Sequence, residues 1–301
     1  MRFRLDRALS VHVASPLTLL FGDRSAIPIL MYHSIKHEQQ SSVHPYYRTT
    51  TPPPLFNKQL RFLQREGYMT CSLEYAVNRL QGQVSSTDKL VVITFDDGYG
   101  DFYRHAFPAL QRCGFTATVF LPTASIGESP IQFKGKDCMT WPQVRELHRN
   151  GIQFGSHTVN HPQLRTLSIQ AIDNELLQSK RTIEDKLGCP VTSFAYPYAF
   201  PQTDSDFKAQ LKNSLRRAGY DHGVCTNIGR ANRKSEPLFL ERLPVNSGDD
   251  MLFFAAKLNG AYDWIAKVQY LSKRARIPAF RPAEATKSIV PKHFPEVQKP
   301  S

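Results

Sequence analysis

Val91-Val92-Ile93-Thr94-Phe95 stays apolar or β-branched until it meets Asp96-Asp97-Gly98. Such a run reads as a fully buried strand that stops at a pair of acids. Neighbouring carboxylates repel, so both stay ionised there only where a cation or hydrogen-bond donors compensate. A metal that takes one acid as ligand, with the other as base, meets that need. A plain Asp-Asp-Gly turn after a strand is the simpler alternative.

Strand and helix patterns alternate along the rest of the chain. Ile27 to His33 is an apolar strand ending at a histidine, and a helix over Leu55 to Glu66 is closed by Gly67. Ser72 caps a shorter helix to Leu80, and Asp101 is placed to cap one that runs through Cys113 to Gly114. Further strands are predicted at Thr116 to Leu121, Ile152 to Ser156, Val191 to Tyr196, Asp221 to Cys225 and Leu238 to Val245. Thr140, Ser168 and Asp204 open the helices between them, and a last helix extends from Asp249 or Asp250 to Ser272. Strands separated by helices in this way predict a parallel α/β architecture. A closed barrel is favoured over an open sheet because the polar residues of interest sit where strands end.

At 301 residues the chain can bury one sizeable core. Its net charge of +12 points to an anionic neighbour such as a membrane surface or an acidic glycan, and no nucleic-acid reading motif accompanies it. Seven Lys or Arg against two Glu fall between Lys273 and Ser301. Five widely spaced cysteines without a CxxC read as unpaired thiols in a reducing, cytoplasmic setting. Polar residues and Pro16 interrupt the apolar stretch from Val11 to Phe21, so it reads as a short peripheral helix or arm, with interfacial membrane contact left open. The expected division is an N-terminal arm over 1–26, a barrel over 27–272 and a basic tail without regular structure over 273–301.

Gly155-Ser156-His157-Thr158-Val159-Asn160-His161-Pro162 places two histidines four residues apart just after a strand. Imidazole nitrogens at that spacing can share one zinc-sized ion. With Asp97 at another strand end they form a His2Asp set that leaves a position open, the ligand pattern of catalytic rather than structural metal sites.

Thr94-Phe95-Asp96-Asp97-Gly98 and His157-Thr158-Val159-Asn160-His161-Pro162 resemble the first two motifs of the polysaccharide deacetylases, the metal-dependent carbohydrate esterases of family four. The resemblance spans Ile27 to Val245, and Ile29-Leu30-Met31-Tyr32-His33-Ser34 looks like the opening strand of the poly-N-acetylglucosamine deacetylase subgroup. It implies a distorted (β/α)7 barrel of the α/β class. It implies a divalent metal, usually zinc, on Asp97, His157 and His161, with Asp96 as general base. The family's third motif, Arg-x-Pro-Tyr-Gly, corresponds to Ala195-Tyr196-Pro197-Tyr198-Ala199, so Tyr198 retains the backbone N–H used for the oxyanion while Ala195 replaces the arginine that holds the base.

Two substitutes follow from these departures. Arg242, in the last strand, is the candidate to hold Asp96, unless it pairs with Glu241 or another surface acid. No histidine lies near the last strand to match the family's fifth motif, so His33 is the candidate general acid, a structural histidine being the alternative. Trp141 is either a groove residue for substrate or packing, and Tyr99 and Phe102 pose the same choice. The function this predicts is removal of N-acetyl groups from a sugar or glycan in exopolysaccharide or surface-glycan synthesis, on a cytoplasmic or lipid-linked precursor. Hydrolysis of another non-peptide amide, or glycan binding without catalysis, are the alternatives.

Overall fold

The computed structural model describes residues 4–21, 23–37, 43–44, 47–83 and 88–274. Seven parallel strands form a ring: β1 (Ile29–Tyr32), β2 (Lys89–Phe95), β3 (Thr118–Leu121), β4 (Gln153–Ser156), β5 (Ser193–Ala195), β6 (His222–Ile228) and β7 (Leu240–Pro244). Leu30 of β1 lies opposite Leu243 of β7 on one side and Ile93 of β2 on the other, which closes the barrel. A register shift between Val224 and Ile228 distorts the β6–β7 seam. The strand Tyr68–Thr70 pairs with the start of β2 outside the ring.

The uniformly apolar strands serve two layers at once. In β2, Val91, Ile93 and Phe95 join the large outer core against the helices, whereas Leu90 and Val92 join an inner cluster with Ile29, Phe120, Ala195 and Val224. This alternation follows from the two-residue period of a strand, so Thr94 and Asp96 continue the inward row. Leu73, Ala76, Val77 and Leu80, from helix Leu73–Leu80, share that inner cluster. Gly155 is demanded by the packing, because a Cβ there would stand 2.6 Å from the Phe120 ring and 2.8 Å from the Ser193 carbonyl oxygen.

Helix starts follow the capping rules. Ser72 accepts from the Tyr75 N–H, Ser168 from Ala171 and Asp204 from Phe207. Asp101 departs from expectation: its carboxylate accepts from the Ser34 hydroxyl and the Ile35 N–H and makes no cap bond. Tying together the segments that follow β1 and β2 takes the place of capping there.

The last helix is two helices, Met251–Leu258 and Ile265–Arg274, because Gly260 adopts φ +87° and the chain turns through residues 259–264. Phe253 and Phe254 are core residues. The N-terminal segment is helical over Leu5–Leu9, Ser10–Ala14 and Ser15–Phe21 and docks against helix Met251–Leu258. Cys138 and Cys225 are buried, Cys71, Cys113 and Cys189 half-buried, and all five thiols are free. Most of the predicted basic tail, residues 275–301, lies outside the described residues.

Candidate active site

The residues singled out by the strand-end argument meet at the C-terminal mouth of the barrel. His33 follows β1, Asp96 and Asp97 follow β2, His157 follows β4, Tyr196 and Tyr198 follow β5, and all line one cavity of about 340 Å³. A larger hollow of about 460 Å³ lies beside Pro28 and Lys89 at the opposite end of the strands, away from the histidine cluster.

Asp97 Oδ1 lies 3.3 Å from His161 Nε2 and 3.7 Å from His157 Nε2. All three residues are buried, and one ligand atom from each falls within 4.8 Å of the others. Asp97 Oδ1 is buried without a hydrogen-bond partner, an arrangement costly unless a cation is shared there. His157 Nδ1 donates to the Ala195 carbonyl at 2.7 Å, which fixes the tautomer and turns Nε2 toward Asp97. Buried imidazoles and a carboxylate that converge in this way fit a divalent metal.

Backbone geometry brings them together. Among the described residues, the five non-glycine positions with positive φ are Asp97, Lys134, Thr158, His161 and Tyr198. Each lies in the cavity wall or, for Thr158, within the turn that presents the histidines. Left-handed backbone at non-glycine residues is unfavourable, so its concentration here is strain held by the surrounding contacts. Glu175, on helix Ile169–Leu187, accepts from the Val159 and Asn160 N–H groups and from Asn160 Nδ2, pinning the histidine turn. Sequence patterning alone does not single out Glu175, which occupies one turn of an ordinary amphipathic helix.

Arg242 is fully buried and reaches Asp96 with two bonds, Nη1 to Oδ1 at 2.7 Å and Nη2 to Oδ2 at 2.8 Å. Its Nε donates to the Cys225 carbonyl and Nη1 also to Thr94 Oγ1. Glu241, the alternative partner, instead accepts from Ser235. Ala195 in the inner cluster leaves the interior to this long side chain. Burial alone would raise the Asp96 carboxyl, but the Arg242 guanidinium reverses this and holds it below the usual carboxylate range. Burial likewise opposes ionisation of Asp97, and the close approach of His161, with His33, His157 and Lys134 nearby, overcomes it and holds the carboxyl below the usual range. Burial pushes His157 down to about 4.

His33 Nε2 stands 4.0 Å from Asp96 Oδ2, with its side chain 20% exposed at the cavity. Tyr198 is 46% exposed at the mouth, its ring 4.6 Å from that of His161. Trp141 does not join them. Its ring is buried in the outer core, 5.8 Å below Lys186, and it does not line the cavity, so its place at a helix start reflects packing. Phe102 is also core, whereas Tyr99 lines the cavity.

Lys134 was not legible in its Gly- and Lys-rich loop. It tips a hairpin, Gln132–Phe133 with Lys136–Asp137, and Gly100 N–H to the Asp137 carbonyl ties that hairpin beside the Asp97-Gly98 turn. Its ammonium lies 3.6 Å from Asp97 Oδ1 and 3.5 Å from His161 Nε2. A cation is thus already drawn to the place where the ligand atoms converge.

A seven-stranded parallel barrel with a buried His2Asp cluster at its C-terminal mouth defines a recognisable class of hydrolase. Residues 83–223 match the sequence model of the family described as polysaccharide deacetylase. YxkH of Bacillus subtilis (strain 168), named for the same family, is 31% identical over 222 residues, 74% of this chain and 72% of YxkH. The poly-beta-1,6-N-acetyl-D-glucosamine N-deacetylase of Escherichia coli (strain K12) is 31% identical over 141 residues, 44% of this chain but 20% of that protein. The structure of the Streptococcus pyogenes deacetylase PplD, in complex with acetate, matches with TM-score 0.64 and 29% identity over 75% of this chain and 96% of that one. The chain belongs to the polysaccharide deacetylase family, carbohydrate esterases that act on N-acetyl amide bonds.

Proposed function

We propose that the chain removes N-acetyl groups from an exopolysaccharide or surface glycan, using zinc held by Asp97, His157 and His161, within a catalytic unit spanning residues 27–272. The observation that carries this reading is the carboxylate of Asp96, held by Arg242 beside three converging ligand atoms. A divalent cation bound there would supply Lewis acidity, lowering the pKa of a water and polarising the acetyl carbonyl. Asp96 accepts the proton from that water; each of its oxygens keeps a lone pair beyond the one taken by Arg242. Because Arg242 depresses its pKa, Asp96 acts through position and constant ionisation rather than basicity. Tyr198 stands at the mouth, where its N–H can meet the developing oxyanion. His33, whose Nε2 lies 4.0 Å from Asp96 Oδ2, passes the proton taken from water on to the departing amine as the C–N bond breaks, leaving acetate and a free amino sugar.

The E. coli relative's named substrate supports a polymer of N-acetylglucosamine as the substrate class. The chain's positive charge supports a membrane-proximal or lipid-linked glycan, and its free thiols support a reducing, cytoplasmic compartment. Offering N-acetylglucosamine oligomers, formamides and cyclic imides side by side tests the reading. Acetate release from the oligomers alone is expected, and preference for either other amide contradicts it.

A further inference from the structure

The N-terminal helical segment ties several polar residues inward while a row of its apolar ones faces outward; Val11 packs on the core. Arg4 binds Asp6, the Asp249 carboxylate at 3.3 Å and the Gly248 carbonyl at 3.2 Å. Arg7 reaches Asp250 at 2.6 Å, Tyr262 donates to Asp6 at 3.0 Å, and Trp264 donates to the buried Ser10 at 3.0 Å. On the opposite side Leu5, Leu9, Val13 and Leu17 recur every four residues and are 61%, 37%, 55% and 55% exposed. A helix facing water shows the reverse pattern. A row of apolar side chains held outward by ion pairs marks a contact surface rather than scattered exposure.

The surface continues sideways. Helix Met251–Leu258 packs on the Ser10–Ala14 turn and carries Leu252, 66% exposed. Leu252 shares a shallow groove with Lys58, Arg61 and Arg65, which project from helix Pro53–Arg65 at spacings of three and four. Helix Met251–Leu258 thus links the two features, packing on the leucine-bearing segment and contributing Leu252 to the basic groove.

We propose that this face docks on an anionic lipid bilayer, with the leucine ridge entering the headgroup boundary and the basic stripe meeting the headgroups. Charge complementarity selects this occupant, because a second copy would bring like-charged stripes together. The helix runs from Gly248 and Asp249, just after β7 at the catalytic end, to Thr18 beside Pro28 at the other. The bilayer then lies along the flank of the barrel and the catalytic mouth opens at headgroup level. This deepens the reading that the glycan is membrane-proximal and rests on it only for its purpose, since docking is measured separately from acetate release.

The test is sedimentation of the full chain with vesicles of phosphatidylcholine, with and without phosphatidylglycerol. Binding to the anionic vesicles and weakening by salt are expected. Leu9→Asp with Val13→Asp, and separately Lys58→Glu with Arg61→Glu, should each weaken binding at least about tenfold. Melting temperature and acetate release from soluble oligomers should stay unchanged in both. No sedimentation, or sedimentation indifferent to both pairs, overturns the proposal. So does a dimer, seen by light scattering, that Leu9→Asp disrupts while vesicles are ignored. Vesicle binding without acetate release refutes the proposed reaction and leaves docking intact.

Discussion

Arg242 of β7 crosses the barrel interior and grips both oxygens of Asp96 at the end of β2, at 2.7 and 2.8 Å. Breaking a buried pair strands the remaining charge, so Arg242→Ala should cost roughly 3–5 kcal/mol of stability. Acetate release should fall at least about a hundredfold, because the base loses its orientation. Lys cannot reproduce the forked contact, so Arg242→Lys should recover only part of either. Adding Ala195→Arg to Arg242→Ala should restore some activity by supplying a guanidinium from β5. Urea unfolding and initial rates check these outcomes, and unchanged kinetics in Arg242→Ala would remove Arg242 from the mechanism.

The metal-free protein should lose stability as pH falls. His157 sits near 4 in the folded chain against an ordinary 6.5, so the unfolded chain takes up a proton first as acid is added. This stabilising contribution is full above 6.5 and is lost as pH falls toward about 4, by up to roughly 3 kcal/mol. The depressed Asp96 and Asp97 carboxyls extend the loss to lower pH, below the ordinary carboxylate range. Thermal melts in chelator from pH 7 to pH 4 should slope downward, and His157→Gln should flatten the upper part. A flat wild-type profile contradicts the assignment.

Lys134 places an ammonium where a divalent ion would bind, so the two compete for Asp97. Lys134→Met should tighten zinc binding by roughly three- to tenfold, an effect limited by the partial exposure of the side chain. A competing-chelator titration measures it. Weaker binding in Lys134→Met would mean that Lys134 supports the site.

Trp141 is a core residue, so Trp141→Ala should cost about 3–5 kcal/mol. Trp141→Phe should fold and keep its KM. A raised KM in Trp141→Phe with stability intact would return Trp141 to the substrate groove.

What the sequence reveals depends on how local the cause is. The strand ends at Asp97 and His157 were legible because the strand pattern stops where the ligand atoms converge. Arg242 could be nominated as an arginine within an apolar strand, although its partner lies 146 positions away and only barrel closure brings them together. Trp141 misled because a helix start looks alike whether it faces groove or core. Asp101 satisfied the local capping rule, yet a distant loop won its carboxylate. Lys134 and Glu175 act through tertiary placement of a hairpin and a helix face, which no periodicity encodes.

Acetate release from N-acetylglucosamine oligomers, followed after chelation and again after zinc is restored, tests the central claim most directly. Wild-type enzyme should fall silent and recover, while Asp96→Asn should bind zinc equally and remain silent throughout. Release that survives chelation, or that persists in Asp96→Asn, would contradict the account.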